Sequence, residues 1–424
     1  MKFIDLFSGI GGFRSGLEKN GHKAIAYSEV DKYAKQSYTS IYETSEELDL
    51  GDITKVSNEQ WQDLKGKANI IVGGSPCQSF SLAGKRRGFE DTRGTLFFHY
   101  VNAVKEVQPE FFIFENVKGM ISHDKGETIK TVLSSFNEIG YYIDFNVFNS
   151  KYYDVPQNRE RIYIVGKRKD LVDNPKYQEK VKGKKKFDEI HNWAVDNINY
   201  VKLLPKLQTE ATTRLVDVLE DEVDEKYYLS DEKLKKLTLD TDLGGKLNIY
   251  DYNERDKVHS INKASPTLNT MQGGDRQPKI AVREATKQGY AVAEQGDSVN
   301  VTYPDSKTRR GRVGKQVAQT LQAGEVNQGV VIDDTQGYDG TRIYKGVSPT
   351  IRSSRSGLKT IDNLRIRKLT PLECWRLQSF TDEQFYKAKD SGVSNSQLYK
   401  QAGNAVTVNV VDAITKELFK HGLK

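Results

Sequence analysis

Strand-like and helix-like segments alternate along the first 170 residues or so of this chain, and this order constrains the fold more than any other feature. Short runs rich in β-branched and aromatic residues occur at 3–7, 24–27, 70–72, 111–114, 142–148 and 162–165. Stretches with apolar residues three or four apart lie between them, at 12–20, 31–42, 95–107 and 128–139. Such runs are typical of buried strands and amphipathic helices. Their alternation predicts an α/β fold with a doubly wound, Rossmann-like parallel sheet.

The length of the chain and a change in its composition after Gly166 predict a second, smaller domain. At 424 residues the chain exceeds the usual size of a single core. A Lys-rich stretch follows Gly166, and after it comes a long region of weak periodicity that we expect to be mostly β or irregular. We therefore place a first domain at 1–170, completed by 398–424, a second at 171–365, and a connecting segment at 366–397. Within the completing segment, the helical period of 405–420 predicts a last helix that packs on the first domain.

Charge and cysteine content narrow the classes of protein. The formal net charge is only +6, which favours a polyanionic partner weakly and does not demonstrate one. The two cysteines give neither a disulfide framework nor a Cys-rich metal site, as in a protein of the reducing cytoplasm. Since the chain starts directly on a strand-like run and has no long apolar stretch, we expect neither a secretory signal nor a membrane span.

Glycines follow the first predicted strand, in the segment Asp-Leu-Phe-Ser-Gly-Ile-Gly-Gly at 5–12. Glycines at a strand-to-helix turn allow a ligand to approach the backbone closely. Glu29 ends the second predicted strand, where an acid can accept hydrogen bonds from ribose hydroxyls. Asp52 lies where a third strand would end and could accept a hydrogen bond from an adenine amino group. A tight turn with a surface Glu, and a helix-capping Asp, explain the same residues without a ligand.

Cys77 follows the strand-like run 70–72 and the segment Gly-Gly-Ser-Pro, so it leaves the sheet at the carboxyl end of a strand. Open α/β sheets bind their ligands on that side. Basic residues at 85–87 and Arg93 are near in sequence and would raise the thiolate fraction of a cysteine. Cys374, within Leu-Glu-Cys-Trp, has the surroundings of an inert, buried cysteine. We expect Cys77 to be the reactive one.

A carboxylate and two arginines are placed to act with this thiol. Glu115 ends the strong run 111–114, and we expect it to lie near Cys77 as a proton donor, although a lone Glu more often caps a helix or pairs with Lys. Arg159 and Arg161 precede the run 162–165, and residues two apart on extended chain face the same way. Both arginines are predicted to face an anionic or carbonyl-bearing substrate, with exposed arginines of no function as the alternative.

These motifs, in this order and spacing, resemble those of the DNA (cytosine-5)-methyltransferases of bacterial or phage restriction-modification type. The matching segments are 5–12, Glu29, 51–54, Pro-Cys-Gln at 76–78, Glu-Asn-Val at 115–117, Gln-Asn-Arg-Glu-Arg at 157–161 and Gly-Asn-Ala-Val at 403–406. The resemblance covers about 170 residues at the N-terminus and about 60 at the C-terminus. The middle region matches no motif, as expected of that family's variable target-recognition domain.

The resemblance implies a binding site for S-adenosylmethionine. The implied contacts are Phe7, Gly9, Ile10 and Gly12 along the cofactor, Glu29 on the ribose, Val30 and Ile53 against the adenine, Asp52 on its amino group, and Pro76, Leu96 and Asn404 completing the site. Ala405 departs from relatives that carry Ser after the Asn, so a hydroxyl contact is missing there. We expect cofactor binding to survive this change.

The resemblance also implies the chemistry. Cys77 would attack C6 of a cytosine flipped out of duplex DNA, Glu115 would protonate N3, and Arg161, with Arg159, would stabilise O2. Asn116 would hold the neighbouring backbone. The implied DNA contacts are Gln78, Ser81, Lys85, Arg87, Arg352 and Arg355, and the run Arg-Arg-Gly-Arg at 309–312 is a further candidate for phosphate contact. We expect a monomeric cytoplasmic enzyme that protects DNA from a restriction enzyme.

Three other functions are compatible with parts of this pattern. An NAD-dependent oxidoreductase explains the glycine loop and Glu29 but leaves Cys77 beside Glu115 without a role. An RNA-directed cytosine methyltransferase shares the catalytic motifs but needs no long variable domain after Gly166. A catalytically idle DNA-binding regulator would not need Cys77, Glu115 and Arg161 together.

Overall fold

The computed structural model describes residues 1–76, 96–230, 232–234, 279–323, 327–333 and 364–420. These residues form two compact units. The first contains Met1–Thr213 and Cys374–Lys424, and the second contains Arg214–Glu373. In the described residues, no helix is both long and apolar enough to cross a membrane.

The first unit is built on a seven-stranded sheet with the order β3-β2-β1-β4-β5-β8-β6. Its strands are β1 Lys2–Leu6, β2 Lys23–Ser28, β3 Leu48–Asp49, β4 Ile70–Gly73, β5 Phe111–Val117, β6 Tyr141–Asn149 and β8 Glu160–Arg168. The short strand β7 Gln157–Asn158 precedes β8. The predicted strands are therefore confirmed, because their β-branched and aromatic side chains are buried on both faces of the sheet.

The sheet is mixed: the predicted parallel pairing holds for β1 to β5, and the last two strands, β8 and β6, pair antiparallel. β1, β2, β3, β4 and β5 pair in parallel, but β8 lies antiparallel between β5 and β6. The segment from β6 to β8, residues 150–159, contains no helix of the crossover kind. A short connection can join antiparallel strands but not parallel ones. The antiparallel direction brings the start of β8 to the sheet edge where β5 ends.

Helices cover both faces of this sheet. They are α1 Gly12–Glu18, α2 Lys32–Ile41, α3 Asn58–Gln62, α4 Leu96–Val107, α5 Glu127–Glu138, α6 Lys186–Asn197, α7 Pro371–Arg376, α8 Asp382–Asp390, α9 Asn395–Asn404 and α10 Val408–Lys420. One core contains side chains of α4, α5 and α6, and the other contains those of α1 and α10. The predicted helices are confirmed within a few residues, and α10 packs on the first unit as expected.

The first unit extends beyond the predicted boundary at residue 170. Asp144 of β6 accepts hydrogen bonds from the backbone N–H groups of Leu203 and Leu204, each at 2.8 Å. Ile190 of α6 and Tyr200 are buried in the same core as the sheet. These contacts attach the segment after residue 170 to β6, which explains why the first unit continues to Thr213.

The second unit contains a four-stranded antiparallel sheet with the order β12-β11-β14-β15, and a hairpin of β9 and β10. The strands are β9 Lys279–Arg283, β10 Tyr290–Glu294, β11 Ser298–Asn300, β12 Val313–Gly314, β14 Gln328–Asp333 and β15 Leu364–Lys368, with a two-residue strand β13 at Ala318–Gln319. The mostly β or irregular character predicted for this region is confirmed for its described residues.

Candidate active site

The strands β1, β4 and β5 end at one edge of the sheet, and β8 starts there. Leu6, the last residue of β1, pairs with Gly73 of β4, which in turn pairs with Phe114 of β5. Val117, the last residue of β5, pairs with Arg161 near the start of β8. This edge therefore brings together the glycine loop, the residues before Cys77, and the Glu115 and Arg161 side chains.

The glycine loop after β1 adopts a left-handed backbone at several positions. Phe7 has a φ of 53°, Gly9 of 57° and Gly11 of 82°. A Cβ added to Gly12 would lie 2.4 Å from the carbonyl oxygen of Val406, whereas one added to Gly9 would meet no atom within 4 Å. Gly12 is thus required for packing, and Gly9 borders open space where a ligand can approach the backbone.

Glu29 supports this loop directly. One carboxylate oxygen accepts a hydrogen bond of 2.7 Å from the Gly9 N–H, and the other accepts bonds of 2.8 Å from the Val30 and Asp31 N–H groups. Glu29 therefore fixes the position of the loop from the end of β2. Oε2 of Glu29, which accepts only the Gly9 bond, retains a second lone pair for a ligand hydroxyl.

The side chains that the family resemblance assigns to the adenine of the cofactor lie around the same edge. Val30 is 71% exposed and Ile53 is buried. Asp52 caps a short helical turn, and the Thr54 hydroxyl and N–H that donate to its carboxylate hold its pKa below the usual value. Leu96 begins α4 and is half-buried, while Pro76 and Asn404 are exposed. Asp52 thus has the capping contacts of an ordinary turn and is also available to a ligand.

Glu115 lies almost entirely out of solvent beside Arg161. Oε1 of Glu115 is 3.1 Å from Nε of Arg161. Burial raises the pKa of the Glu115 carboxyl, and the positive charges of Arg161 and Arg159 oppose that shift. Burial thus makes this carboxyl easier to protonate than an exposed one, and a protonated carboxyl can deliver its proton to a base.

The chain that leads to Cys77 contacts this carboxylate. A Cβ added to Gly74 would lie 2.8 Å from Oε2 of Glu115, so only glycine allows this approach. The Asn116 amide donates a 2.9 Å hydrogen bond to the Ser75 carbonyl. No role was predicted for Gly74, although a Gly-Gly pair at a strand end indicates a close approach of the backbone to a neighbouring group.

Arg159 has partners that the sequence analysis did not predict. It is 2% exposed, and its two terminal nitrogens donate to the carbonyl oxygens of Gly403 and Ala405, at 3.1 and 2.8 Å. Arg159 and Arg161 do lie near the same carboxylate, but only Arg161 forms an ion pair with it within 4 Å. The two arginines therefore have different surroundings.

Several residues named in the sequence analysis lie outside the described residues. These are Cys77, Gln78, Ser81, Lys85, Arg87, Arg352 and Arg355. Cys374, by contrast, is 1% exposed within α7, in agreement with its expected inert role.

Arg312 was wrongly grouped with the exposed arginines of the run 309–312. Its guanidinium is buried and donates to the carbonyl oxygens of Asn300, Thr302 and Tyr303, so phosphate cannot reach it. A polar run in sequence does not distinguish a structural arginine from a surface one.

Comparison with known proteins supplies the family. The sequence model of one protein family, the C-5 cytosine-specific DNA methylases, matches residues 1–420. The chain belongs to that family. It is therefore a DNA (cytosine-5)-methyltransferase, and the methyl donor of this family is S-adenosylmethionine.

Curated relatives of the methylase match almost its whole length. The orphan methyltransferase M.SPRI of Bacillus phage SPR is 39% identical, with 99% of this chain and 97% of the relative covered. The orphan methyltransferase M.Rho11sI of Bacillus phage rho11s is 37% identical with the same coverage. The type II methyltransferase M.BanI of Aneurinibacillus aneurinilyticus is 30% identical, with 100% and 96% covered.

Solved structures share the fold of the methylase at low sequence identity. The S. pombe Dnmt2 methyltransferase superimposes with a TM-score of 0.53 at 17% identity, and covers 99% of this chain and 98% of that one. The Entamoeba histolytica methyltransferase EhMeth gives 0.51 at 16% identity, with the same coverage.

The described residues fit the methyl donor. Gly9 borders open space, Oε2 of Glu29 offers a free lone pair beside it, and the exposed Val30 provides an apolar surface. A cationic sulfonium with a ribose and an aromatic base requires hydroxyl acceptors and an apolar contact of this kind. The methylase supplies both at the edge where Glu115 lies.

Proposed function

We propose that this methylase modifies a cytosine within a specific sequence of double-stranded DNA through a covalent bond from Cys77. The main support for this proposal is the close approach of Gly74 to the Glu115 carboxylate. Glu115 and Asn116 hold the residues that immediately precede Cys77, so the thiol and the acid belong to one site. Since base atoms are inaccessible within a duplex, the cytosine must be flipped out, at a cost of a few kcal/mol.

In this mechanism the Cys77 thiolate adds to C6 of the cytosine. The π pair of the C5–C6 double bond moves to C4–C5, and the π pair of C4–N3 moves to N3, which takes the proton of Glu115. The resulting enamine makes C5 nucleophilic. Arg161 orients the Glu115 carboxyl and stabilises charge on O2. When bound, S-adenosylmethionine supplies the methyl group to C5. A base then removes the C5 proton, the thiolate leaves C6, and N3 returns its proton to Glu115, which restores the aromatic ring.

For the methyl donor we propose the contacts that the resemblance implies. Glu29 accepts hydrogen bonds from the ribose hydroxyls, and Asp52 accepts one from the adenine amino group. Val30 and Ile53 pack against the adenine ring. The remaining contacts are Phe7, Gly9, Ile10, Gly12, Pro76, Leu96 and Asn404. The position of most of these residues around one sheet edge supports the assignment.

For DNA we propose that the first unit performs catalysis and that the second recognises the target. Gln78, Ser81, Lys85, Arg87, Arg352 and Arg355 remain proposed contacts. The loop between β11 and β12 adds support, because Arg310 is exposed and the half-buried Arg309 lies over the exposed ring of Tyr303, 6.0 Å from its centroid. Cations beside an exposed aromatic ring suit a phosphate backbone and its bases.

We further propose that the methylase acts as a monomer in the bacterial cytoplasm and protects DNA from a restriction enzyme. Its relatives include type II methyltransferases and orphan methyltransferases. Digestion of DNA from expressing cells with a panel of endonucleases tests protection. Resistance to one enzyme supports it. Cleavage by the enzyme whose recognition sequence is the one that the protein methylates contradicts it.

The decisive test of the mechanism is bisulfite sequencing of DNA from a methylation-free bacterial host that expresses the protein. We expect 5-methylcytosine at one short sequence with the wild-type chain, and none with Cys77→Ala. The variant should still bind S-adenosylmethionine in calorimetry. Full activity of Cys77→Ala would overturn the covalent mechanism, and methyl transfer to tRNA but not to duplex DNA would overturn the substrate.

A further inference from the structure

Arg159 is joined to the segment after α9 by a buried set of hydrogen bonds. Its guanidinium donates to the carbonyl oxygens of Gly403 and Ala405, which flank Asn404. The residues between α9 and α10 are extended rather than helical, as the Ala405 φ and ψ of −62° and 151° show. Charge-assisted hydrogen bonds to carbonyl groups hold such a segment more firmly than neutral ones.

The same segment forms one wall of the glycine loop. The Val406 carbonyl oxygen lies so close to Gly12 that a Cβ there would be 2.4 Å away. Residues 403–406 are thus enclosed by Arg159 on one side and the start of α1 on the other. A displacement of this segment would change the shape of the loop that Glu29 supports.

Arg159 also lies close to the catalytic carboxylate without forming an ion pair with it within 4 Å. Its positive charge lowers the pKa of Glu115, and the nearby charge of Arg161 adds to the effect of burial in lowering the pKa of Arg159 to about 9. Arg159 therefore remains charged at neutral pH. Its Nε is buried without a hydrogen-bond partner, which is costly for a charged group and indicates that the main-chain contacts compensate.

We propose that Arg159 is a positioning residue that couples the cofactor site to the base site, and that it does not contact the cytosine. It holds Asn404 and the wall of the glycine loop through main-chain carbonyls, and it acts on Glu115 only through its charge. The inference rests on the proposed function for the location of the cofactor. It assigns Arg159 and Arg161, two residues apart, to different tasks.

Binding of S-adenosylmethionine to the full chain without DNA tests this assignment. Calorimetry should show that Arg159→Gln weakens binding on the order of tenfold to a hundredfold, because a charged donor to two carbonyl groups is lost. Arg161→Gln should lower kcat and leave the Kd within about twofold of wild type. Wild-type affinity in a folded Arg159→Gln with a lower kcat would overturn the proposal.

Two further variants separate positioning from general destabilisation. Thr407→Val removes a buried hydroxyl that bonds to Ser150 and Gln378 at 2.9 Å, but leaves both carbonyl contacts of Arg159 intact. It should lower Tm with little effect on the Kd, and an equal loss of affinity would contradict the coupling. If Arg159→Gln does not fold, Arg159→Lys keeps the charge and one donor. Its Kd should then lie measurably above that of wild type, and an unchanged Kd would overturn the proposal.

These measurements are independent of the covalent mechanism. Binding of the methyl donor without DNA requires neither Cys77 nor a flipped base. If Cys77→Ala retained activity while Arg159→Gln lost cofactor affinity, the proposed mechanism would fail and the coupling would stand.

Discussion

At the scale of single residues, the site depends on the different environments of its charged groups. Glu115 is buried and has a raised pKa, whereas Asp52 is stabilised as a carboxylate by donors from Thr54. A carboxyl that donates a proton needs the first environment, and one that accepts hydrogen bonds from a ligand needs the second. The structure supplies each where the proposed mechanism requires it.

Replacement of Glu115 by Gln tests its role as the acid. The amide has the same shape but cannot give up a proton to N3, so kcat should fall about 10²- to 10⁴-fold, the usual range for general acid catalysis. The Kd for S-adenosylmethionine should change little. Single-turnover methylation of a duplex measures the first quantity, and a kcat within threefold of wild type would refute the role.

The raised pKa of Glu115 also predicts the pH dependence of the reaction. Because the protonated form is active, kcat should fall as the pH rises through the pKa of the folded enzyme. Single-turnover rates measured on both sides of that pKa would reveal this decrease. The residual rate of Glu115→Gln should not show this decrease with pH. An identical decrease in the variant would assign the titration to another group.

At the scale of elements, the strands and helices of the first unit could be predicted because their apolar periodicity is strong. The direction of β8 could not, since a buried strand has the same composition whether it is parallel or antiparallel. The partners of Arg159 were missed because they are main-chain carbonyls some 245 residues away, with no side-chain signature. Glu29 and Glu115 could be placed at one edge because the carboxyl ends of parallel strands meet there. Arg161 reaches that edge only through the antiparallel direction of β8.

Asp144 on β6 accepts hydrogen bonds from residues 203 and 204. The free energy of unfolding should therefore depend on whether Asp144 is protonated. Burial raises its pKa to about 6, above the usual value of 3.8. The folded state therefore binds this proton more tightly than the unfolded state, so stability from this group is full at low pH and is lost as the pH rises through about 6.

The difference in free energy of unfolding between wild type and Asp144→Ala should consequently shrink between about pH 4 and pH 7. Urea unfolding at several pH values measures it. Val147→Ala, on the same strand, provides a control without a titratable group. A difference that grows with pH would show that the hydrogen bonds to the carboxylate outweigh its desolvation.

The loop between β11 and β12 should contribute to DNA affinity. Removing the two cations that we propose contact phosphate, in Arg309→Ala with Arg310→Ala, should weaken binding and reduce the slope of log K against log salt by about 1 to 2. Titrations of a labelled duplex at several salt concentrations test this. Lys226→Ala, an exposed cation of the second unit paired with Asp224, is the control. An unchanged slope would exclude the loop from the interface.

At the scale of the whole molecule, the two ends of the chain form one unit. In α10, Val410, Val411, Ile414 and Leu418 are buried in the core that contains Phe3 and Leu17. The helical period at 405–420 predicted such a helix, but α10 starts only at Val408 because Arg159 holds the preceding residues extended. The division near Thr213 was not predictable from composition, since tertiary contacts such as those of Asp144 and the burial of Tyr200 reveal it.

A chain that ends before Val408 should therefore fail to form a stable first unit. Each fully buried aliphatic side chain contributes about 1.5–3 kcal/mol, so the loss of four approaches the whole stability of a typical domain. We expect little folded protein and no binding of S-adenosylmethionine, as judged by thermal melting and calorimetry. A chain that ends at Lys420 should behave like the wild type, and cofactor binding by the shorter chain would contradict this account.

The contact between Gly12 and Val406 has a consequence for biosynthesis. Val406 follows Gly12 by almost the whole length of the chain, and at roughly 5–20 residues per second it is synthesised tens of seconds after the loop. A nascent chain therefore carries the glycine loop well before the segment that packs against it exists. We expect the proposed cofactor site to form only after Val406 has left the ribosome.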